Sequence, residues 1–217
     1  MTTGTMQYQQ HVQVFTETGT WIKPERLVHV RVIVAGAGGG GHTTSPGGGG
    51  GGGAAVQSAW IAASELPETV DVLVGQSGIG TDGGTSSFLD YRAPGGKRGT
   101  ATAGGQGGLA PWRGGAGGAP SQWGETVSLV PIHLLAGGGG GAGSGDTWGG
   151  ASGMNIREDG TTTSAAPLFA AGVLQCGHGG SRDNNQTPQW PAGGGGVMQA
   201  GAAGVVTVIE TIYVLED

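Results

Sequence analysis

Apolar and polar residues alternate along this chain in a few short runs, separated by long stretches with almost no side chains. His11-Val-Gln-Val-Phe-Thr16 alternates throughout, as a strand with one buried face does. Leu27 to Val34 is the most regular run: Val28, Val30, Val32 and Val34 fall on one face, while His29 and Arg31 fall on the other. That second face suits solvent or a neighbouring subunit. Ala54 to Ala63 alternates through Val56, Ser58, Trp60 and Ala62, and Thr69 to Val74 through Val70, Val72 and Val74. The first of these reads as a strand, although its alanines also permit a short helix. Val127 to Leu135 is strand-like with a bend at Pro131, which suits an edge or a bulge. Val205 to Val214 is β-branched with apolar residues on both faces, the pattern of a central strand or of one covered by another subunit. The pattern thus predicts strands over residues 11–16, 27–34, 55–62, 69–74, 126–135 and 204–214, with turns at Glu17–Thr20 and Leu66–Glu68.

The stretches between these runs are glycine. Gly47 to Gly53 is unbroken, and Gly38 to Gly41, Gly137 to Gly141 and Gly193 to Gly196 are shorter versions of it. Glycine runs usually make flexible linkers, because glycine loses the most backbone freedom on ordering. Here strand-like segments feed them directly: Leu27–Val34 runs into Ala35-Gly-Ala-Gly38, and Pro131–Leu135 runs into Ala136-Gly137. A linker does not usually start where a core strand stops. A structural role follows if the runs adopt the polyproline II conformation, with three residues per turn and no internal hydrogen bonds. Chains carrying only hydrogen on all three faces can lie side by side and pair their N–H and C=O groups laterally, helped by Cα–H···O contacts. The expected architecture is all-β: one domain over residues 1–217, a β-sandwich whose glycine-rich insertions, about 35–53, 75–124 and 136–203, pack as a bundle of polyglycine helices.

Composition sharpens this picture. Glycine makes up 52 of 217 residues without a G-X-Y period, which excludes collagen. Such glycine content is common in disordered chains, but 36% of residues are hydrophobic, many of them gathered into β-branched runs, and only 11% are charged. The net charge of −6, with nine dispersed basic residues, argues against a nucleic-acid or anionic-membrane footprint. A single cysteine, Cys176, excludes an internal disulfide framework. Met1 to Tyr8 has neither the basic nor the apolar region of a signal peptide, and no window reaches 18 apolar residues. These features fit a soluble protein made in the cytoplasm.

Chemistry is sparse. Gly96-Lys97 is followed by Arg98, so the phosphate-binding G-x-x-x-x-G-K-[ST] motif fails, and no βαβ pattern surrounds any G-x-G-x-x-G match. No serine sits in G-x-S-x-G. The histidines at 11, 29, 42, 133 and 178 lack zinc spacing, and Cys176-Gly-His178 supplies two ligands, too few for a closed site. Glu158-Asp159 suits a solvated turn better than a catalytic pair. The expectation is a protein that is not an enzyme and holds no cofactor and no metal.

Tryptophan is the one informative residue type. Trp21 and Trp60 lie in or beside strands, where burial explains them. Trp112, Trp123, Trp148 and Trp190 sit among Gly, Pro, Ser and Gln in the insertions. They suit a capping role, closing a bundle that has no side chains of its own to bury. The second reading is a platform for sugars or a protein partner, as aromatic anchors form at binding surfaces.

Several blocks, taken together and in order, resemble glycine-rich minor tail proteins of bacteriophages that infect actinobacteria. They are Phe15-Thr-Glu-Thr-Gly-Thr-Trp-Ile-Lys-Pro24, Val28 to Gly41, Trp60 to Gly75, Gly83-Gly-Thr-Ser-Ser-Phe88 and Gly201 to Val208, roughly half of the chain. Leu73-Val-Gly-Gln76 and Leu134 to Gly137 are also distantly similar to the glycine-rich domain of anaplastic lymphoma kinase. That likeness implies a tumour-necrosis-factor-like, jelly-roll sandwich carrying packed polyglycine II helices. The phage likeness implies a virion tail protein, a tail-tip adhesin that contacts the host through loops at the bundle tip. The implied partners are copies of itself in a homotrimer, other tail-tip proteins, and a host cell-surface glycan or protein, with no nucleic acid and no membrane insertion. Trp112, Trp123, Trp148 and Trp190 are the receptor-binding candidates. Gly38, Gly47, Gly50, Gly53, Gly137, Gly141, Gly193 and Gly196 mark the structural runs. The alternative is a purely structural tail or decoration protein. A repetitive ice-binding or matrix protein fits less well, since regular G-X-X spacing is missing. Many phage relatives carry an N-terminal attachment part, whereas this chain enters the module after about ten residues, so docking through the β-domain or through Met1–Gln10 is expected.

Overall fold

The computed structural model describes residues 6–127, 138–152 and 176–215. Within them the chain is nearly all β, with two antiparallel sheets and one short 3₁₀ turn at Ala63–Glu65. The first sheet contains β1 (Met6–Phe15), β3 (Leu27–Ala35), β4 (Ala55–Gln57), β5 (Ile61–Ala62) and β9 (Val205–Leu215), with β9 central between β1 and β3. The second contains β2 (Gly19–Ile22), β6 (Thr69–Leu73), β7 (Ser86–Phe88) and β8 (Tyr91–Ala93), in the order β2-β6-β7-β8.

The facing sides of the sheets make the core. Val30, Val32 and Val34 of β3, Val206 and Val208 of β9, Val70 and Val72 of β6, and Trp21 and Phe88 are all buried in one cluster. Trp21 meets Phe88 edge-to-face at 5.6 Å between ring centroids. Each such side chain contributes about 1.5–3 kcal/mol by leaving water, which is how two small sheets hold together. One charged group lies among them. Glu210, 1% exposed, accepts hydrogen bonds from Trp21 Nε1 at 2.6 Å and Gln13 Nε2 at 2.8 Å.

Several elements differ from the sequence pattern, each for a local reason. The β3–β9 register shifts between Leu27 and His29, so Leu27 joins the core while Val28 is half-buried. The strand expected over 55–62 is two short strands. Ser58 is buried, and its hydroxyl accepts the Val32 N–H at 2.8 Å, turning the chain out of the ladder before Trp60. Trp60 is 46% exposed and stacks on the outer side chains of β3, edge-on to His29 at 4.4 Å and under Arg31 at 5.8 Å. Strands β2, β7 and β8 are only three or four residues long, below the length at which alternation is legible. The predicted strand over 126–135 falls mostly outside the described residues, and Gly137, Glu158 and Asp159 fall wholly outside them; Thr126 and Val127 are not in a strand.

The glycine segments leave the ends of β3, β8 and β4 and form a lattice. Its axis is the segment from Gly48 to Ala55. Its N–H groups donate in rotation: Gly48, Gly51 and Ala54 to Thr100, Lys97 and Pro94; Gly49, Gly52 and Ala55 to Gly118, Gly115 and Trp112; Gly50 and Gly53 to Gly195 and Ala192. Its carbonyls accept from three other stretches: Gly36, Gly39 and His42; Gly105 and Gly108; Gly138 and Gly141, with Ser144 donating to the preceding Gly47. A repeat of three residues that sends each bond to a different neighbour is the signature of a three-residue-per-turn helix. Six segments therefore surround the axis, and the backbone groups of Gly48–Gly53 are all paired without one hydrogen bond inside the segment. Side chains would prevent this. A Cβ on Gly50 would overlap the carbonyl of Gly39, one on Gly52 that of Gly138, and one on Gly38 that of Gly193.

Candidate functional site

The lattice has two ends, fixed by its hydrogen-bond register. Gly36, Pro94, Trp112, Ala192 and Gly138 lie level with Gly53–Ala55, beside the sheets; His42, Thr100, Gly118 and Ser144 lie level with Gly47–Gly50. At about 3.1 Å per residue, the seven glycines of Gly47–Gly53 carry the far end roughly 22 Å from the sandwich. The loops that turn the chain round there lie at 42–47, 100–103, 119–122, 144–147 and 181–186. They are rich in small polar residues, with Thr43, Thr44, Ser45, Thr102, Ser121 and Asn185 exposed.

Some of these loops brace one another. Asp183 Oδ2 accepts the Gly145 N–H at 2.7 Å, and Asn184 Nδ2 donates to the Thr147 carbonyl at 2.8 Å, as does the Ser181 hydroxyl. The Asp82 carboxylate accepts the Arg98 N–H and pairs with Lys97 Nζ at 2.9 Å; the backbone bond, followed by Lys97, holds its pKa below the usual range. The Arg98 guanidinium makes a long 3.4 Å contact with the Gly80 carbonyl. It lines a hollow of about 250 Å³ with His42, Thr43, Gly80 and Thr100. A second hollow of about 250 Å³ lies lower on the flank, between Gly83, Pro94, Lys97, Gln106 and Leu109. Another ion pair staples the flank: both terminal nitrogens of the Arg113 guanidinium donate to Glu125, whose carboxylate also accepts the Ala116 N–H at 2.8 Å. Arg113, first of all, holds the Glu125 pKa down.

The four insertion tryptophans are split between levels. Trp112 sits at the sandwich end, bridged to Ala55 and packed against Ala35, Ala55, Cys176, Ala192 and Val205. Trp190 is at the same end, where its Nε1 donates to the Gly204 carbonyl at 3.2 Å. Trp123 lies in the far half and is 60% exposed, and the Gly124 N–H beside it donates to the carbonyl of half-buried Trp148. The structure thus brings Trp123 and Trp148 together near the far loops and keeps Trp112 and Trp190 at the base. The hydroxyl-bearing tip residues were not singled out by sequence. Their signal is Gly41-His-Thr-Thr-Ser-Pro-Gly47, a polar turn held between two glycine runs.

The marked glycines differ in what they face. Gly38, Gly50, Gly53 and Gly141 each abut a carbonyl of a neighbouring segment, and Gly193 abuts the His178 carbonyl. Gly47 and Gly196, at run ends, face mainly the side chains of His42 and Gln199. Burial pushes the Cys176 thiol up to about 12, and burial also lowers His178, whose Nδ1 lies 2.8 Å from the Gly179 carbonyl. Among the described residues no three His, Cys, Asp or Glu side chains are grouped to hold a metal ion, and no helix is long and apolar enough to cross a membrane.

A family model described as a glycine-rich domain matches residues 13–209, from within β1 to within β9. No curated protein matches the chain.

Proposed function

Because this chain belongs to the glycine-rich domain family, we propose that it is a non-enzymatic scaffold that presents polar loops to a surface: a tail-tip adhesin of a virion. The observation that carries this reading is the axis Gly48–Ala55, whose hydrogen bonds spread over six surrounding segments. A backbone lattice of this kind has no side chains with which to act chemically. What it supplies is a stiff mount that holds several turns side by side about two nanometres from its β-base. In this reading the lattice is a polyglycine II bundle on a tumour-necrosis-factor-like, jelly-roll sandwich. The loops at 42–47, 100–103 and 119–122 touch the host, and Trp123 is the aromatic anchor beside them. Trp112 and Trp190 close the base of the bundle. Hydroxyl and backbone groups around the Arg98 guanidinium suit a cell-surface glycan. Support for a virion comes from the ordered sequence blocks that resemble those of phage tail proteins.

Adsorption of the purified, fluorescently tagged protein to actinobacterial cells tests the reading. Saturable binding, displaced by unlabelled protein and weakened about tenfold by Trp123→Ala, is the expected result. A well-folded protein that ignores the cells would overturn adhesion and leave a structural role in the tail, with tail proteins as its partners.

A further inference from the structure

Strand β1 is the end strand of the first sheet, and it is an unusual edge. It pairs with β9 over ten residues in unbroken register, from Met6–Leu215 to Phe15–Val206. Among the described residues no strand pairs with its other side. Residues 7–14 are exposed on both faces, Tyr8 by 69% and Val12 by 53%. Soluble proteins blunt a free edge with a lysine, a proline, a bulge, an inward charge or a short strand. The sequence Met-Gln-Tyr-Gln-Gln-His-Val-Gln-Val-Phe has no charged residue, no proline and no glycine, its register has no bulge, and the strand is long. Among the described residues, none of these devices guards the edge.

We infer that this edge pairs antiparallel with β1 of a second copy of the chain, across a two-fold axis at Gln10. The strand's own sequence argues for a copy of itself. Two-fold symmetry sets residues of equal parity opposite one another, so each sheet face stays on its own side. With Gln10 opposite Gln10, Tyr8 meets Val12 on the outer face, an aromatic with β-branched pair of the stabilising kind. On the other face Gln7 meets Gln13, whose amide also donates to Glu210, and Gln9 meets His11, so polar groups face polar groups. The two sheets then run on as one, in the order β4-β3-β9-β1-β1-β9-β3-β4. The contact lies on the sandwich, away from the far loops, and does not depend on the adhesion reading. It is also a two-fold contact, unlike the threefold ring that the phage resemblance implies.

The test is the solution mass of the full chain, measured against concentration. A particle of two chains is expected at tens of micromolar. Gln10→Lys and Gln10→Glu, at an exposed site, place like charges opposite each other on the axis. Each should weaken the pair by about tenfold or more. An equal mixture of the two variants should restore it, which a folding defect in either could not do. A single-chain wild type, a three-chain particle, a pair that ignores Gln10→Lys, or a mixture that stays apart would each overturn the inference.

Discussion

A glycine in this lattice is defined by what stands where its side chain would be. At Gly50 a methyl would fall on the carbonyl of Gly39, and that carbonyl is itself fixed by the Gly195 N–H at 2.9 Å. Neither backbone can give way without breaking its own bonds. Gly50→Ala should therefore destabilise the protein by about 1–3 kcal/mol or more, the range for overpacking an interior, although alanine stiffens the unfolded chain. Gly19 is the contrast, because the nearest atom to its Cβ position is a Phe15 ring carbon at 3.8 Å. Gly19→Ala should stay within about 0.5 kcal/mol of the parent. Urea unfolding of the two variants side by side checks this, and equal midpoints would contradict the packed lattice. Composition alone cannot rank these two glycines; only the neighbours across the bundle do.

At the scale of elements, the sandwich depends on one buried acid as well as on its valines. Glu210 lies on central β9 and joins Trp21 of the opposite sheet to Gln13 of β1. Glu210→Ala leaves the buried Trp21 N–H without its acceptor and should cost about 1–3 kcal/mol. Glu210→Gln keeps an oxygen there and should cost less; thermal unfolding that ranks the two variants the other way would refute the assignment. This link was not legible in the sequence, where Glu210 is one polar residue in an apolar run and Trp21 follows an expected turn. Periodicity located Leu27–Ala35 and Val205–Leu215 well, because long strands with one face in a core must alternate or be β-branched. It gave no sign of β7 and β8, a hairpin whose strands of three residues each are too short for alternation to show. The tryptophans were identifiable as a group, but the level at which each sits depends on inter-segment bonds that no local pattern encodes.

At the scale of the whole molecule, lattice and sandwich form one mechanical unit. Strand β3 runs into Gly36 and β4 emerges from Ala54, and the Gly36 N–H donates to the Ala54 carbonyl at 2.9 Å where they meet. The small cluster of Ala35, Ala55, Cys176, Ala192 and Val205 seals the junction, with Trp112 against it. The axis cannot open locally, since freeing one turn of Gly48–Ala55 breaks bonds to several segments at once. A glycine run acting as a linker would exchange its amide hydrogens within the dead time of the experiment. The lattice predicts the opposite: amides of Gly48–Ala55 should be protected to within about tenfold of those in β3, both exchanging by global unfolding. Cys176 offers a second reading of the same event. It is 5% exposed, with its thiol pushed up to about 12, so modification near pH 8 must wait for the junction to open. Thiol labelling and axis exchange should then share one rate and one urea dependence. Fast exchange in the axis while Cys176 stays protected would mean that the sandwich folds alone and the glycine segments are not its rigid extension.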